Sequence, residues 1–308
     1  MPLPIEETII ELANSNKPLL HSRLTELSNL SSEELEFFKR SWSAIELERR
    51  RQIVHRLVEL AEDNLELNFD NILKYCLKDH DDEVQSKAIE GLWENEEPSL
   101  INPLIDLLKQ DSSEKVQAAA ATALGKFAIL AEHKKLRSCH VSRVEEALLT
   151  VIRDKNRIVE IRRRALESAA PLSLPQVKTA IMEAYQSHNP RLSISAIYAM
   201  GKNCDPSWLP ILLRELASAD AEVRYEAAGA CGELEEEEQA VPHLIKLVND
   251  PDTDVQMAAI RTLGKIGGTK AKECLERCLN SAREAIRQAA QQALNELKTK
   301  EDPLSFRL

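Results

Sequence analysis

Aromatic residues make up only 4% of the 308-residue sequence. Burial must therefore fall to alanine and aliphatic side chains, which suits thin layers of closely approaching helices. Eight glycines and no valine-rich alternating runs leave little from which to build strands. No apolar run reaches about 18 residues, so no membrane-spanning helix is expected. Six cysteines, at 76, 139, 204, 231, 274 and 278, form no CxxC pair and fit no disulfide framework. That usage predicts a reducing, cytoplasmic setting. The opening residues, MPLPIEETIIELANS, have no basic stretch and carry acids inside their short apolar segment, which argues against a signal peptide. Positive charge is scarce as well, and the net charge is −11. Such a chain repels phosphate backbones overall, so no nucleic-acid partner is expected.

Catalytic motifs are missing in the same way. No Gly-rich phosphate loop and no GxSxG occur, and no SxxK stands in a context that supports a nucleophile. His133, Cys139 and His140 lie close in sequence, but three ligands are too few for a closed zinc site. Cys274 and Cys278, one helical turn apart, read as packed core cysteines. The sequence therefore predicts no catalytic residue, no metal ligand and no cofactor.

What the sequence does have is a repeat. Aliphatic anchors stand at Val84, Val116, Ile161, Leu192, Val223, Val255 and Ile286, and five of the six intervals are 31 or 32 residues. Four places after every anchor comes alanine: Ala88, Ala120, Ala165, Ala196, Ala227, Ala259 and Ala290. The stretch DTDVQMAAIRTLGK shows the frame most clearly, with Val255, Ala259 and Leu263 on one helical face. Before each anchor helix lies a shorter aliphatic helix, often with proline in its first turn, as at Pro103, Pro210 and Pro242. Asp220 and Asp252 are natural N-caps of the anchor helices. One such helix pair cannot bury both apolar faces alone, and stacking on its neighbours supplies the core. The prediction is an all-α superhelix, a solenoid of two-helix repeats.

Along the chain, residues 1–67 read as an N-terminal helical cap with degenerate repeats, and 68–297 as seven regular repeats. The single long interval, between Val116 and Ile161, predicts a longer connection at 126–140, partly helical and projecting at one edge. Residues 298–308 read as a mobile tail. Gly125, Gly201, Gly232 and Gly264 all fall nine places after an anchor, where glycine either allows close packing or ends the helix.

The stretches DTDVQMAAIRTLGKIGG, DAEVRYEAAGACGELE and SEKVQAAAATALGKFA resemble the second helices of HEAT-like repeats of the phycobilisome-lyase type, and the whole chain is similar to bacterial HEAT-repeat proteins. The resemblance is specific for fold and unspecific for function. Deoxyhypusine hydroxylase, built of similar repeats, holds iron through His-Glu dipeptides. None of the seven histidines here is followed by glutamate. The resemblance leaves two expectations. The first is a non-catalytic scaffold that binds a protein or peptide partner on its concave surface. The alternative is an enzyme or enzyme subunit of bilin-lyase-like or chaperone type.

On the anchor helices, the face opposite the packing stripe carries positions two and six after the anchor. There Ile194, Tyr198, Tyr225 and Met257 should gather on a wet face, flanked by Arg163 and Arg261. Tyr, Met and Arg are enriched in interfaces, so these six residues are the predicted partner-binding set. The run Arg162-Arg163-Arg164 should pair with neighbouring acids, Glu160 and Glu167 among them.

Overall fold

The structure is a computed structural model that describes residues 4–110, 113–234 and 238–301. The described residues form helices and turns, with no strand among them. The chain divides into two compact units, Met1–Ser168 and Ala169–Leu308.

The first unit starts with α1 (Pro4–Ala13), α2 (His21–Thr25) and α3 (Ser32–Trp42). Ser31 caps α3 in a reciprocal capping box with Glu34, which satisfies two orphan donors at once. Then come α4 (Leu47–Asp63), α5 (Asp70–Cys76), α6 (Asp82–Gly91), α7 (Ile101–Gln110), α8 (Glu114–Glu132), α9 (Ser138–Arg153) and α10 (Val159–Ala169). In this unit α4, α6 and α8 pack side by side, while α5 and α7 lie against α6 and α8.

The second unit repeats the scheme with α11 (Pro175–Tyr185), α12 (Pro190–Lys202), α13 (Leu209–Glu215), α14 (Ala221–Cys231), α15 (Val241–Leu247), α16 (Thr253–Ile266), α17 (Thr269–Cys278) and α18 (Glu284–Glu301). Here α12, α14, α16 and α18 form one row, and α11, α13, α15 and α17 each pack on the partner that follows.

The alanine four places after each anchor is fully buried in every case. With no exposed surface left, a larger side chain there would overpack. The anchors are buried too, except Val223, which is half-buried. Gly201 and Gly264 lie inside helices, so their role is close approach. A Cβ at Gly201 would come within 2.7 Å of the Ala230 Cα, and one at Gly264 within 2.7 Å of the Ala293 Cβ.

Two polar devices recur around this apolar frame. Three places before the anchor, Asp81, Ser113, Asn189, Asp220 and Asp252 cap their helices by accepting from backbone N–H groups. One place after the anchor, a side chain reaches back to a carbonyl at the end of the preceding helix. Gln85 donates to the Leu77 carbonyl, Arg162 to that of Ile152 and Ser193 to that of Tyr185, each at 3.1 Å. Arg224, Gln256 and Arg287 do the same at Ser218, Asp250 and Ser281. Helix C-termini leave carbonyls without intrahelical partners, and this residue satisfies one at Leu77, Ile152 and Tyr185; at Ser218, Asp250 and Ser281 the carbonyl belongs to the turn after the helix.

The connection expected at 126–140 is partly helical, as the sequence predicts, but it packs rather than projects. Lys126 to Glu132 continue α8, and Ser138 already begins α9. Phe127, Ala128 and Leu130 are buried, so the extension carries on the apolar stripe and packs. Lys298 to Glu301 belong to α18, and the remainder of the expected tail lies outside the described residues.

Candidate partner-binding site

In the second unit, α12, α14 and α16 leave a hollow of about 330 Å³ on their shared face. Tyr198 on α12 and Tyr225 on α14 stand at its sides, exposed by 38% and 36%. Arg261 on α16 reaches it from the third helix and is exposed. The floor is Gly229, one turn beyond Tyr225, where an added Cβ would meet nothing within 4 Å. This is two and six places after the anchor, where helical periodicity aims side chains away from the stack.

Charge around the hollow is organised by Glu233. Its carboxylate accepts from Lys265 at 2.9 Å and pairs with Lys202 at 3.3 Å. Burial pushes this carboxyl up, and the two ammonium groups together more than offset it, so it sits below the usual carboxylate range. Lys202 also lies over the Tyr198 ring, 5.8 Å from its centroid. Beneath, the buried Thr262 hydroxyl donates to the Ala228 carbonyl at 2.9 Å and fixes α16 against α14. Arg261 and the Tyr225 hydroxyl have no ion pair or hydrogen bond among the described residues.

Of the six predicted residues, three line this hollow: Tyr198, Tyr225 and Arg261. Met257 is half-buried on α16 outside the lining. Ile194 is a correction: only 7% of it is exposed, so it belongs to the packing rather than the wet face. The cause is crowding, since Ile194, Ser195, Ala196 and Ile197 are all buried together on α12. Arg163 is placed in the other unit, on α10. It pairs with Glu160 at 2.8 Å and Glu167 at 3.7 Å, while Arg164 also pairs with Glu160 at 2.9 Å. These charges serve their own helix.

The first unit carries a larger groove, about 990 Å³, which the sequence reading missed. Its floor is the low surface of Ala118, Ala119, Thr122 and Ala123 on α8, and Trp93 stands beside it, 62% exposed. Two signals were available: the alanine run itself, and tryptophan at a place where four other repeats have glycine. Lys126 donates to the carbonyls of Leu92 at 3.0 Å and Trp93 at 2.9 Å, just beyond the end of α6. Burial pushes its amine down to about 8. The other cations of the groove are largely paired, Arg51 with Asp81, Lys87 with Glu90 and Arg164 with Glu160. Among the described residues, no three His, Cys, Asp or Glu side chains form a metal-holding group. None of the described helices is long and apolar enough to cross a membrane.

A model of HEAT repeats matches residues 69–138 and 209–295, just over half of the chain. The chain belongs to the HEAT-repeat family. Among solved structures, yeast importin-beta (Kap95p) is 14% identical with a TM-score of 0.58, over 98% of this chain and 47% of that one. The complex of CpcE and CpcF of phycocyanin lyase from Nostoc sp. PCC7120 is 19% identical with a TM-score of 0.51, over 74% of this chain and 87% of the matched one. At these identities the likeness shows the fold alone. No curated protein matches the sequence. HEAT repeats thus explain the anchor, alanine and cap frame, while the hollow at Gly229 is formed by side chains outside that frame.

Proposed function

We propose that the protein is a non-catalytic interaction scaffold whose second unit holds a protein or peptide partner at Tyr198, Tyr225 and Arg261, with Met257 beside them. The observation that carries this reading is the pair of exposed tyrosines on adjacent helices, set around a bare glycine. A tyrosine brings a large apolar ring at little rotamer entropy, and covering two such rings is a common way to anchor a partner. The Arg163 and Ile194 positions are left out because one is paired on its own helix and the other is buried.

The test is a Tyr198→Ala, Tyr225→Ala double variant, compared with the parent by crosslinking and mass spectrometry in the native host. Both side chains are exposed, so the melting temperature should hold while specific partners disappear. Recovery of the same partners by both proteins would refute the site. The absorbance spectrum of the purified parent adds a second check, because a bound chromophore would favour the lyase-like or chaperone subunit instead.

A further inference from the structure

We propose that the hollow between α12, α14 and α16 takes a short acidic peptide segment, seating an apolar side chain over Gly229 and a neighbouring carboxylate on Arg261. The proposal rests on the function proposed above and specifies its ligand.

Gly229 is the first reason. A glycine inside a helix is destabilising relative to alanine, and the other helix-interior glycines of the second unit return that loss by close packing. Gly201 and Gly264 each sit hard against a neighbouring helix. Gly229, in the last turn of α14, touches nothing that a methyl group would disturb. The chain gains no packing from it, so the space above it serves something outside the chain. Tyr198, Tyr225, Ala230 and Ala258 line that space, and their surfaces suit an aliphatic or aromatic side chain. At about 330 Å³ the hollow is near the small end of ligand pockets, which fits one or two residues of an extended segment.

Charge supplies the second reason. Among the described lining residues, Lys202, Arg261 and Lys265 face two carboxylates, Glu226 and Glu233, one net positive charge on a chain of net charge −11. Glu233 engages both lysines. That leaves Arg261 as the cation without a carboxylate and the Tyr225 hydroxyl as a donor without an acceptor. A guanidinium presents paired donors that match a carboxylate in bidentate geometry, and the phenol can add a third hydrogen bond. Among the described lining residues, a basic segment would have to approach three cations while Glu233 is already engaged by both lysines.

The experiment pans phage-displayed random dodecapeptides on the immobilised full chain, with a Gly229→Trp variant as counter-selection. An added Cβ at Gly229 meets nothing within 4 Å and the indole is directed into the hollow, so the counter-selection uses the variant once its melting temperature is shown to match the parent's. Recovered peptides are then synthesised, labelled and titrated against the parent, Gly229→Trp, Arg261→Gln and Arg261→Glu proteins. Peptides lost on Gly229→Trp should place Asp or Glu beside Leu, Ile, Met or Phe. Their affinity should fall about tenfold or more with Arg261→Gln, further with Arg261→Glu, and decline with added salt. Peptides that depend on Gly229 but are neutral or basic, or that ignore Arg261→Glu, would overturn the acidic chemistry and leave the site standing. If no recovered peptide responds to Gly229→Trp, the site itself fails, and the proposal with it.

Discussion

Replace Gly229 with alanine and the new methyl group enters open space; replace Gly201 and it strikes the backbone of α14. The two variants make the same chemical change in neighbouring helices of one unit. Both glycines lie in the last turn of their helices, so the intrinsic gain is alike and at most about 0.5–1 kcal/mol, the figure for a helix-interior glycine. At Gly229 nothing opposes it. At Gly201 the Cβ would lie 2.7 Å from the Ala230 Cα and 2.9 Å from its Cβ. Carbon atoms pack best at about 3.5–4.0 Å, so α14 must retreat by about 1 Å along a contact that is otherwise fully buried. Overpacking of this kind costs about 1–3 kcal/mol, and a rigid backbone opposite places it in the upper half of that range. The net expectation is a loss of about 1–2 kcal/mol at Gly201 against a gain of at most about 0.5–1 kcal/mol at Gly229. In a cooperative unit of this size each 1 kcal/mol moves the melting temperature by about 2–4 °C, so the variants should bracket the parent. Urea unfolding followed by circular dichroism measures both, provided the slope of the transition is unchanged. A stabilised Gly201→Ala, or a destabilised Gly229→Ala, would refute the assignment of one glycine to packing and the other to an empty floor.

The repeat devices give three further expectations. Asp252→Ala removes an acceptor shared by the Asp254 and Val255 N–H groups and should lower stability by about 1 kcal/mol in the same unfolding assay, whereas Asp252→Asn should recover most of it. Gln256→Ala strips the donor from the Asp250 carbonyl at a buried turn, and the orphaned acceptor should cost about 1–3 kcal/mol, more than the exposed Gln292→Ala control. Asp205 is held down from its ordinary 3.8 to about 2, by Lys178 first and then by Ser207. A depressed carboxylate contributes stability that is complete above about pH 4 and is lost as pH falls toward 2. Stability measured across that window should fall less steeply for Asp205→Asn than for the parent, and parallel curves would show that the ion pair contributes nothing.

What the sequence made legible is what the stack constrains to one residue type. Alanine four places after the anchor is demanded by the distance between helices, so it recurs and can be counted. The capping acids Asp220 and Asp252 were legible because few side chains do that work. The residue one place after the anchor was not, because glutamine, arginine and serine all reach the same kind of carbonyl. Function there is shared by geometry and hidden by identity. Periodicity also assigned Ile194 to the wet face, since a helical wheel counts angles and takes no account of how deep α12 sits among its neighbours. The packing of the α8 extension was missed for a related reason: a stretch outside the repeat frame was expected to project, yet Phe127, Ala128 and Leu130 are buried.

In a stacked array, the anchor and the residues four and eight places beyond it are committed to neighbours. Positions two and six places beyond carry less of that duty, although Ile194 and Ser86 are drawn into the packing, so an exposed residue there answers to helix propensity and solvent unless something else selects it. Propensity favours alanine, glutamate or lysine on an exposed helical face. The second unit instead presents Tyr225 and Gly229 on one helix, two choices that propensity disfavours, with Tyr198 and Arg261 opposite on the adjoining helices. Any one of these is unremarkable on a protein surface. Together they enclose a hollow, give it apolar walls and leave it one uncommitted cation. Stability is given up at the same few positions where recognition would be gained, and that coincidence is what supports proposing this face as the binding site.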